Sequence, residues 1–186
     1  MHIFTKMKKE IFNHIEIPEG VEANIEGNLI KVKGKEGHME RRFNINKLVF
    51  EKREKKITIG YKNSTKKEKK MTNTITAHIK NMFKGVQEKF DYKLKIASSH
   101  FPISVELKEN KATVKNFLGE KIPREVEILK GVEVKIENDI ITMKSINKEL
   151  VGQTAANFEK ATRITMKDRR IFQDGIFIIN KSGKKI

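Results

Sequence analysis

Ile17-Pro18-Glu19-Gly20-Val21 opens a pattern that returns later in this chain as Phe101-Pro102-Ile103-Ser104-Val105. The two prolines stand 84 residues apart, and similar residues follow each of them in the same order. The matched stretches are 28–32 with 110–114 and 34–37 with 116–119. A period of this length exceeds the roughly 20–50 residues of a solenoid repeat. The pattern therefore predicts two tandem copies of one small domain.

Each copy begins with the alternation of polar and apolar residues that is typical of half-buried strands. In the first copy, apolar residues alternate on both sides of a Gly27-Asn28 turn, as in a β-hairpin. In the second copy, the turn falls at Glu109-Asn110. A further strand pattern follows in each copy, at residues 55–61 and 139–145.

Each copy then changes to the helical period. The apolar stripe of the first copy comprises Ile75, Ile79, Met82, Phe83 and Val86. The stripe of the second copy comprises Leu150, Val151, Ala155, Phe158 and Thr162. Gly85 occupies the position expected of a glycine that ends a helix. We predict an α+β fold of two tandem duplicated small domains, each an antiparallel sheet covered by a helix. The first repeat is expected at residues 1–86, and the second, with a basic C-terminal extension, at residues 87–186.

The net charge of the chain is +16, from 40 Lys and Arg against 24 Asp and Glu, and its pI is near 9.9. Such an excess costs self-repulsion unless a polyanion neutralises it. Nucleic acid is the partner that this charge favours, because bound phosphates release counterions. An anionic membrane surface, an acidic protein and high solubility alone are the alternatives.

Catalytic and metal-binding patterns are absent from the sequence. The chain has no cysteine, which excludes disulfides, thiolate ligands and a thiol nucleophile. Its five histidines are spaced so that none pairs with another on one helix or strand face. No apolar run reaches the length of about 20 residues that spans a membrane. We expect an intracellular protein that is not an enzyme and needs no metal, cofactor or small-molecule substrate.

The segment at residues 167–177 has the strongest features of a binding site. It follows the second helix, has no counterpart in the first copy and contains Lys167, Arg169 and Arg170. Arginine grips phosphate with two parallel hydrogen bonds and stacks on bases. Phe172 and Phe177 either stack on bases as well or anchor the loop to the core.

Three further basic stretches each allow two interpretations. Lys115, Lys121 and Arg124 surround a glycine-containing turn, which is either a phosphate contact or a hairpin tip facing water. Residues 62–70 are either a basic arm or a solvated helix start. The tail, with Lys181 and Lys184, is either a basic arm or a frayed end.

Several of these stretches resemble the large-ribosomal-subunit protein six family in its archaeal and eukaryotic form, which older eukaryotic naming calls protein nine. The similarity covers nearly the whole chain in order. The stretches that carry it are 81–86, Phe90 with Tyr92-Lys93, 100–103, 116–121, 167–170 and Phe172 with 174–176.

The resemblance implies a structural role in the large subunit of the cytoplasmic ribosome, bound to large-subunit rRNA. In the family, the C-terminal copy makes most RNA contacts, near the sarcin–ricin loop and the stalk base, where translation factors dock. Neighbouring ribosomal proteins are the other expected partners. The expected RNA-binding residues are Lys115, Asn116, Lys121, Arg124, Lys167, Arg169, Arg170, Lys181 and Lys184.

Two stretches of the first copy depart from the family pattern. Residues 34–37 read Gly-Lys-Glu-Gly, where family members carry a more basic glycine turn. Residues 60–64 stand where eukaryotic members have a tryptophan-containing stretch. Both departures weaken the expectation of RNA contacts in the first copy.

Overall fold

The computed structural model describes residues 9–44, 48–53 and 55–186. Residues 1–8, 45–47 and 54, which belong to the predicted first repeat, lie outside this part. The chain divides into two compact units, Met1–Glu88 and Lys89–Ile186. The boundary expected from the sequence lies two residues before this division.

The first unit contains two antiparallel sheets and one long helix in its described residues. One sheet has the strand order β1-β6-β5 and the other the order β2-β3-β4. In chain order the elements are β1 (Lys9–Glu16), β2 (Glu22–Glu26), β3 (Leu29–Gly34), β4 (Gly37–Arg42), β5 (Val49–Arg53), β6 (Lys56–Ser64) and α1 (Lys66–Gln87).

The second unit repeats this plan and extends it. Its elements are β7 (Phe90–Ala97), β8 (Ser104–Lys108), β9 (Lys111–Lys115), a short 3-10 helix (Phe117–Gly119), β10 (Arg124–Glu127), β11 (Glu133–Glu137), β12 (Ile140–Ser145), α2 (Lys148–Ala161), β13 (Gly175–Lys181) and β14 (Lys184–Lys185). The strand orders are β10-β9-β8 and β11-β12-β7-β13-β14. The predicted α+β duplication is confirmed, although each copy has two sheets where the sequence predicted one.

Each helix covers both sheets of its own unit. The buried face of α1 includes Ile75, Ile79 and Met82, and it packs on strands of both sheets. In α2, Val151, Ala155 and Phe158 are fully buried against the second pair of sheets. Burial of each large apolar side chain contributes about 2 kcal/mol. These stripes therefore fix the helices, as the helical period predicted.

The expectation that Gly85 ends the first helix is wrong. Gly85 is buried inside α1, and the helix continues to Gln87. Val86 lies against Gly34, where an added Cβ would come within 2.7 Å of the Val86 carbonyl oxygen. That carbonyl also accepts a hydrogen bond from the Glu36 backbone N–H, at 2.9 Å. The last turn of α1 is thus needed to hold the β3–β4 hairpin.

The C-terminal extension forms the edge of the larger sheet. Strand β13 pairs with β7 in antiparallel register, with Ile176 opposite Ile96, and β14 folds back on β13. Lys181 lies opposite Lys184 in this hairpin, so the tail is neither a free arm nor a frayed end. None of the helices in the described residues is long and apolar enough to cross a membrane.

Candidate nucleic-acid interface

The basic segment expected to bind RNA lies in the loop between α2 and β13, and both of its ends are fixed. Thr162, buried at the end of α2, accepts a hydrogen bond on its hydroxyl from the Ile176 backbone N–H, at 2.9 Å. The Thr162 N–H donates in turn to the Phe158 carbonyl within the helix. The end of α2 is therefore tied to the beginning of β13 across the loop.

Asp168 organises the turn that carries the two predicted arginines. Its side-chain Oδ1 accepts a hydrogen bond from the Arg170 N–H at 2.9 Å, and its carbonyl accepts one from the Phe172 N–H at 2.9 Å. Gln173 donates from its side chain to the Arg170 carbonyl, at 3.2 Å. Asp168 thus fixes backbone groups, while the side chains of Arg169 and Arg170 are exposed to solvent.

Asp174 anchors the far end of the loop to the segment after β7. Its carboxylate is 1% exposed and accepts hydrogen bonds from the backbone N–H groups of Ser99 and His100. The ring Nδ1 of His100 lies 2.6 Å from Oδ2 of Asp174. Burial alone would raise the pKa of the Asp174 carboxyl. The hydrogen bonds from the backbone and ring of His100 and the backbone of Ser99 outweigh burial and lower the pKa from 3.8 to about 2.

Phe172 completes this anchor by stacking on His100. The two ring centroids lie 4.9 Å apart with an angle of 20° between the planes. The ammonium of Lys167 lies 4.5 Å from the centroid of the Phe172 ring, a cation–π distance. Phe172 is therefore packed as an anchor of the loop, whereas Phe177 remains half exposed on β13.

The loop between β9 and β10 carries the second predicted cluster. Asn116 adopts a left-handed conformation, with φ of 60°, and its side chain donates to the Pro102 carbonyl at 3.0 Å. Phe117 then enters the core at 1% exposure. Gly119 follows with φ of +77°, a conformation that glycine adopts without strain. This loop is held by its backbone conformation and by one buried aromatic ring.

Arg124 lies at the base of this loop with its guanidinium engaged by protein groups. It donates to both carboxylate oxygens of Glu120, at 2.7 and 2.5 Å, and to the carbonyl of Ala161 at 2.6 Å. The guanidinium also lies 4.4 Å from the Phe117 ring centroid. Hydrogen bonding to Arg124 lowers the pKa of the Glu120 carboxyl, with a smaller effect from the charge of Lys167. Arg124 therefore joins the β9–β10 loop to the end of α2.

The remaining predicted residues are exposed but lie in different settings. Lys115 ends β9 and forms an ion pair with Glu106, at 2.6 Å. Lys121 is exposed in the same loop as Asn116. Lys181 and Lys184 are exposed on the β13–β14 hairpin. The structure thus brings the two loops together through Arg124 and places the hairpin lysines on a separate element of the same unit.

Two contributors to this surface were missed by sequence reasoning. Arg163, directly after α2, lines an open pocket of about 650 Å³ together with Arg169, Ile164 and Phe177. A single arginine after a helix carries no distinctive pattern. His100 pairs with Asp174 across 74 residues, so this contact leaves no local trace in the sequence.

Taken together, the fold and this surface define a duplicated α+β protein whose second copy displays basic loops on a rigid frame. Within residues 9–44, 48–53 and 55–186, no group of three His, Asp or Glu side chains is arranged to hold a metal ion. The family model for ribosomal protein L6 matches residues 17–89 and 101–175, one match in each copy. The chain belongs to the ribosomal protein L6 family.

Similar proteins span nearly the whole chain. It is 42% identical over 179 residues to large ribosomal subunit protein uL6 of Ignicoccus hospitalis, covering 92% of this chain and 96% of the relative. It is 43% identical over 176 residues to the uL6 protein of Methanosarcina mazei, covering 95% of this chain and 100% of the relative. The expected family is confirmed, and with it a structural protein that is not an enzyme.

Proposed function

We propose that this protein is a structural constituent of the large subunit of the cytoplasmic ribosome and binds large-subunit rRNA through its second copy. The observation that carries the proposal is the α2–β13 loop, whose backbone is fixed at both ends while Arg169 and Arg170 extend into solvent. Membership of the ribosomal protein L6 family and the names of the similar proteins support the same role.

The fixed backbone explains how the loop gains affinity. Ordering a mobile segment costs conformational entropy, so a loop that is already ordered keeps more of the energy of each contact. Arginine adds bidentate hydrogen bonds to phosphate oxygens. RNA helices are recognised mainly through shape, phosphates and 2′-hydroxyls, which suits a distributed basic surface. Arg169 and Arg170 form the centre of the proposed interface.

The other predicted residues differ in how directly we expect them to contact RNA. Lys121 and Asn116 extend the surface along the β9–β10 loop, and Lys115 joins it when RNA competes with Glu106 for its ammonium. Arg124 has its guanidinium engaged by Glu120 and Ala161, so it positions the two loops and contacts RNA only at its edge. Lys167, Lys181 and Lys184 supply further phosphate contacts.

The location within the subunit is a finer proposal. We infer that the second copy lies near the sarcin–ricin loop and the base of the stalk, where it would support the region at which translation factors dock; the family resemblance supports this location. Neighbouring large-subunit proteins near the stalk base are the expected protein partners. Chemical footprinting of large subunits with and without this protein would test the position, because protection should cluster at those rRNA elements.

The central test reverses two charges in the loop. The double variant Arg169→Glu, Arg170→Glu should lower incorporation into large subunits and reduce the salt slope of RNA binding by about two. The matched control Lys108→Glu, Lys130→Glu makes the same charge change at exposed positions of the same unit, at the end of β8 and in a turn. Normal incorporation and an unchanged slope for the loop variant would remove this loop from the interface.

An anionic membrane surface or an acidic protein was the alternative expected from charge alone. The apolar faces of α1 and α2 are buried against sheets, so neither helix offers its apolar stripe to lipid. Sedimentation of the purified chain with anionic vesicles but not with large subunits would favour the membrane role.

A further inference from the structure

The outer face of α1 is a continuous basic surface that the proposed function does not use. At about 100° per residue, its exposed residues Lys66, Lys69, Lys70, Asn73, Ala77, Lys80 and Lys84 fall within an arc of about 100°. The buried residues of the helix lie on the opposite side. This face contains no carboxylate along its whole length.

Four lysines of this face differ from the lysines of the chain that are held in ion pairs. Within the described residues, Lys66, Lys69, Lys70 and Lys80 form no ion pair. Five lysines elsewhere in the described residues do pair with carboxylates, and these pairs are Lys31–Glu26, Lys56–Glu16, Lys89–Glu133, Lys111–Glu125 and Lys115–Glu106. The charges of Lys66, Lys69, Lys70 and Lys80 are therefore left available to an external anion.

The equivalent helix of the second copy provides an internal comparison. The face of α2 opposite its buried stripe carries Glu149, Gln153, Ala156 and Lys160, with one charge of each sign. The two helices share their place in the fold, so packing does not require lysines on the outer face of α1. The basic face is a property of the first copy alone.

We propose that the outer face of α1 is a second RNA-binding surface, which lies across the minor groove of an RNA helix. Its lysines form an N-terminal group, at residues 66–70, and a C-terminal group, at residues 80–84, separated by about 15 Å along the helix. The short side chains of Asn73 and Ala77 lie between the groups and allow close approach. Each group meets one phosphate strand, and double-stranded RNA is recognised by such contacts across its wide, shallow minor groove.

The composition of this face favours RNA over an acidic protein or a lipid surface. Protein interfaces bind mainly through aromatic and arginine anchors and are depleted in lysine. A lipid surface requires bulky apolar side chains beside the charges. The α1 face between Lys66 and Lys84 has neither kind of residue, so phosphate charge is the chemistry that it matches.

A site-specific cross-link tests the placement with little risk to folding. The chain has no cysteine, so Ala77→Cys introduces a single thiol at the centre of the α1 face. Ala156→Cys places the same residue on the outer face of α2 as a matched control. Each full-length variant is labelled with a thiol-reactive photo-cross-linker and assembled into large subunits. A stronger RNA cross-link from position 77 than from position 156 is expected. Equal yields, cross-links to protein only or no cross-link at position 77 would overturn the proposal.

A charge-removal experiment tests how much the lysines of the α1 face contribute to RNA binding, while the basic loops of the second copy are left unchanged. The triple variant Lys66→Gln, Lys70→Gln, Lys80→Gln should reduce the salt slope of binding to an RNA duplex of about 20 base pairs by about three. Lys33→Gln, Lys35→Gln, Lys55→Gln removes the same charge elsewhere in the first unit and should leave most of the slope. Equal effects of the two triple variants would contradict the proposal. Because Arg169 and Arg170 are retained here, failure of this test leaves the proposed role of the second copy standing.

Discussion

Strands β1 and β7 occupy equivalent positions in the two copies. The copies differ most at the sheet edge beyond these two strands. The sheet order β1-β6-β5 corresponds to β7-β12-β11, yet β13 pairs with the free edge of β7. In the described residues, β1 has no such neighbour. The segment that follows α2 thus adds strands β13 and β14 to the larger sheet of the second copy. The basic loop is the connection that leads the chain from α2 to β13, and the first copy has neither this loop nor an added strand in its described residues.

The largest expected effect concerns the anchor that only the second copy has. Asp174→Ala removes a buried acceptor and leaves the N–H groups of Ser99 and His100 without partners. We expect the free energy of unfolding of the second unit to fall by about 3 kcal/mol. Urea denaturation of the full chain measures this change.

The control is Asp168→Ala, at an exposed position in the same loop, which should lower the free energy of unfolding by about 1 kcal/mol or less. Equal losses would show that Asp174 is not the principal anchor.

Acid should weaken the same anchor. The pKa of Asp174 is lowered to about 2 in the folded chain, so its ionised form contributes stability above the unfolded pKa near 4. That contribution, about 2 kcal/mol at neutral pH, is lost as the pH falls through the folded pKa. The difference in unfolding free energy between the natural chain and Asp174→Asn should therefore shrink between about pH 4 and pH 2. A difference that stays constant with pH would contradict this assignment.

A smaller effect is expected from the residue that caps the N-terminus of α2. Asn147 caps α2, because its side-chain oxygen accepts a hydrogen bond from the Glu149 N–H at 2.9 Å. Asn147→Ala should lower the stability of the second unit by about 1 kcal/mol, measured by thermal unfolding. Asn147→Asp keeps the acceptor and should restore the loss. If aspartate fails to restore it, the side chain acts through packing and not as a cap.

The smallest effect concerns a surface ion pair beside the proposed interface. Glu106→Gln frees the ammonium of Lys115 from its partner. Because both groups are exposed, we expect no measurable change in melting temperature. Affinity for large-subunit RNA at low salt should rise about twofold. Glu133→Gln removes a carboxylate of equal charge on β11 and serves as the control, with a smaller rise expected.

Local patterns predicted the elements of the fold but not their assembly. Alternation around Ile30 and Val32 predicted the β2–β3 hairpin, and the apolar stripes predicted both helices, because burial imposes those periods. The prediction that α1 ends at Gly85 was wrong, because Gly85 is buried inside the helix and the following Val86 packs against the distant Gly34. Division of the strands into two sheets depends on long-range packing, which no local period encodes.

In the candidate site, too, the residue types could be predicted from the sequence, but the long-range contacts could not. The basic residues of the loop were evident from their types, and their family was recognised from the stretches that contain them. The role of Arg124 was not evident, because its partners at Ala161 and Phe117 are known only from the folded chain. The same is true of the anchor between His100 and Asp174, which is formed by distant segments.

The pairing of β13 with β7 has a consequence for biosynthesis. Strand β7 is synthesised about 80 residues before its partner β13, so this pairing is a long-range contact. At about 5–20 residues per second, the first unit can fold several seconds before β13 is available. The loop that we propose to bind RNA therefore takes its final shape only after β13 has been synthesised. Chains that stop before β13 would lack the pairing that fixes this loop.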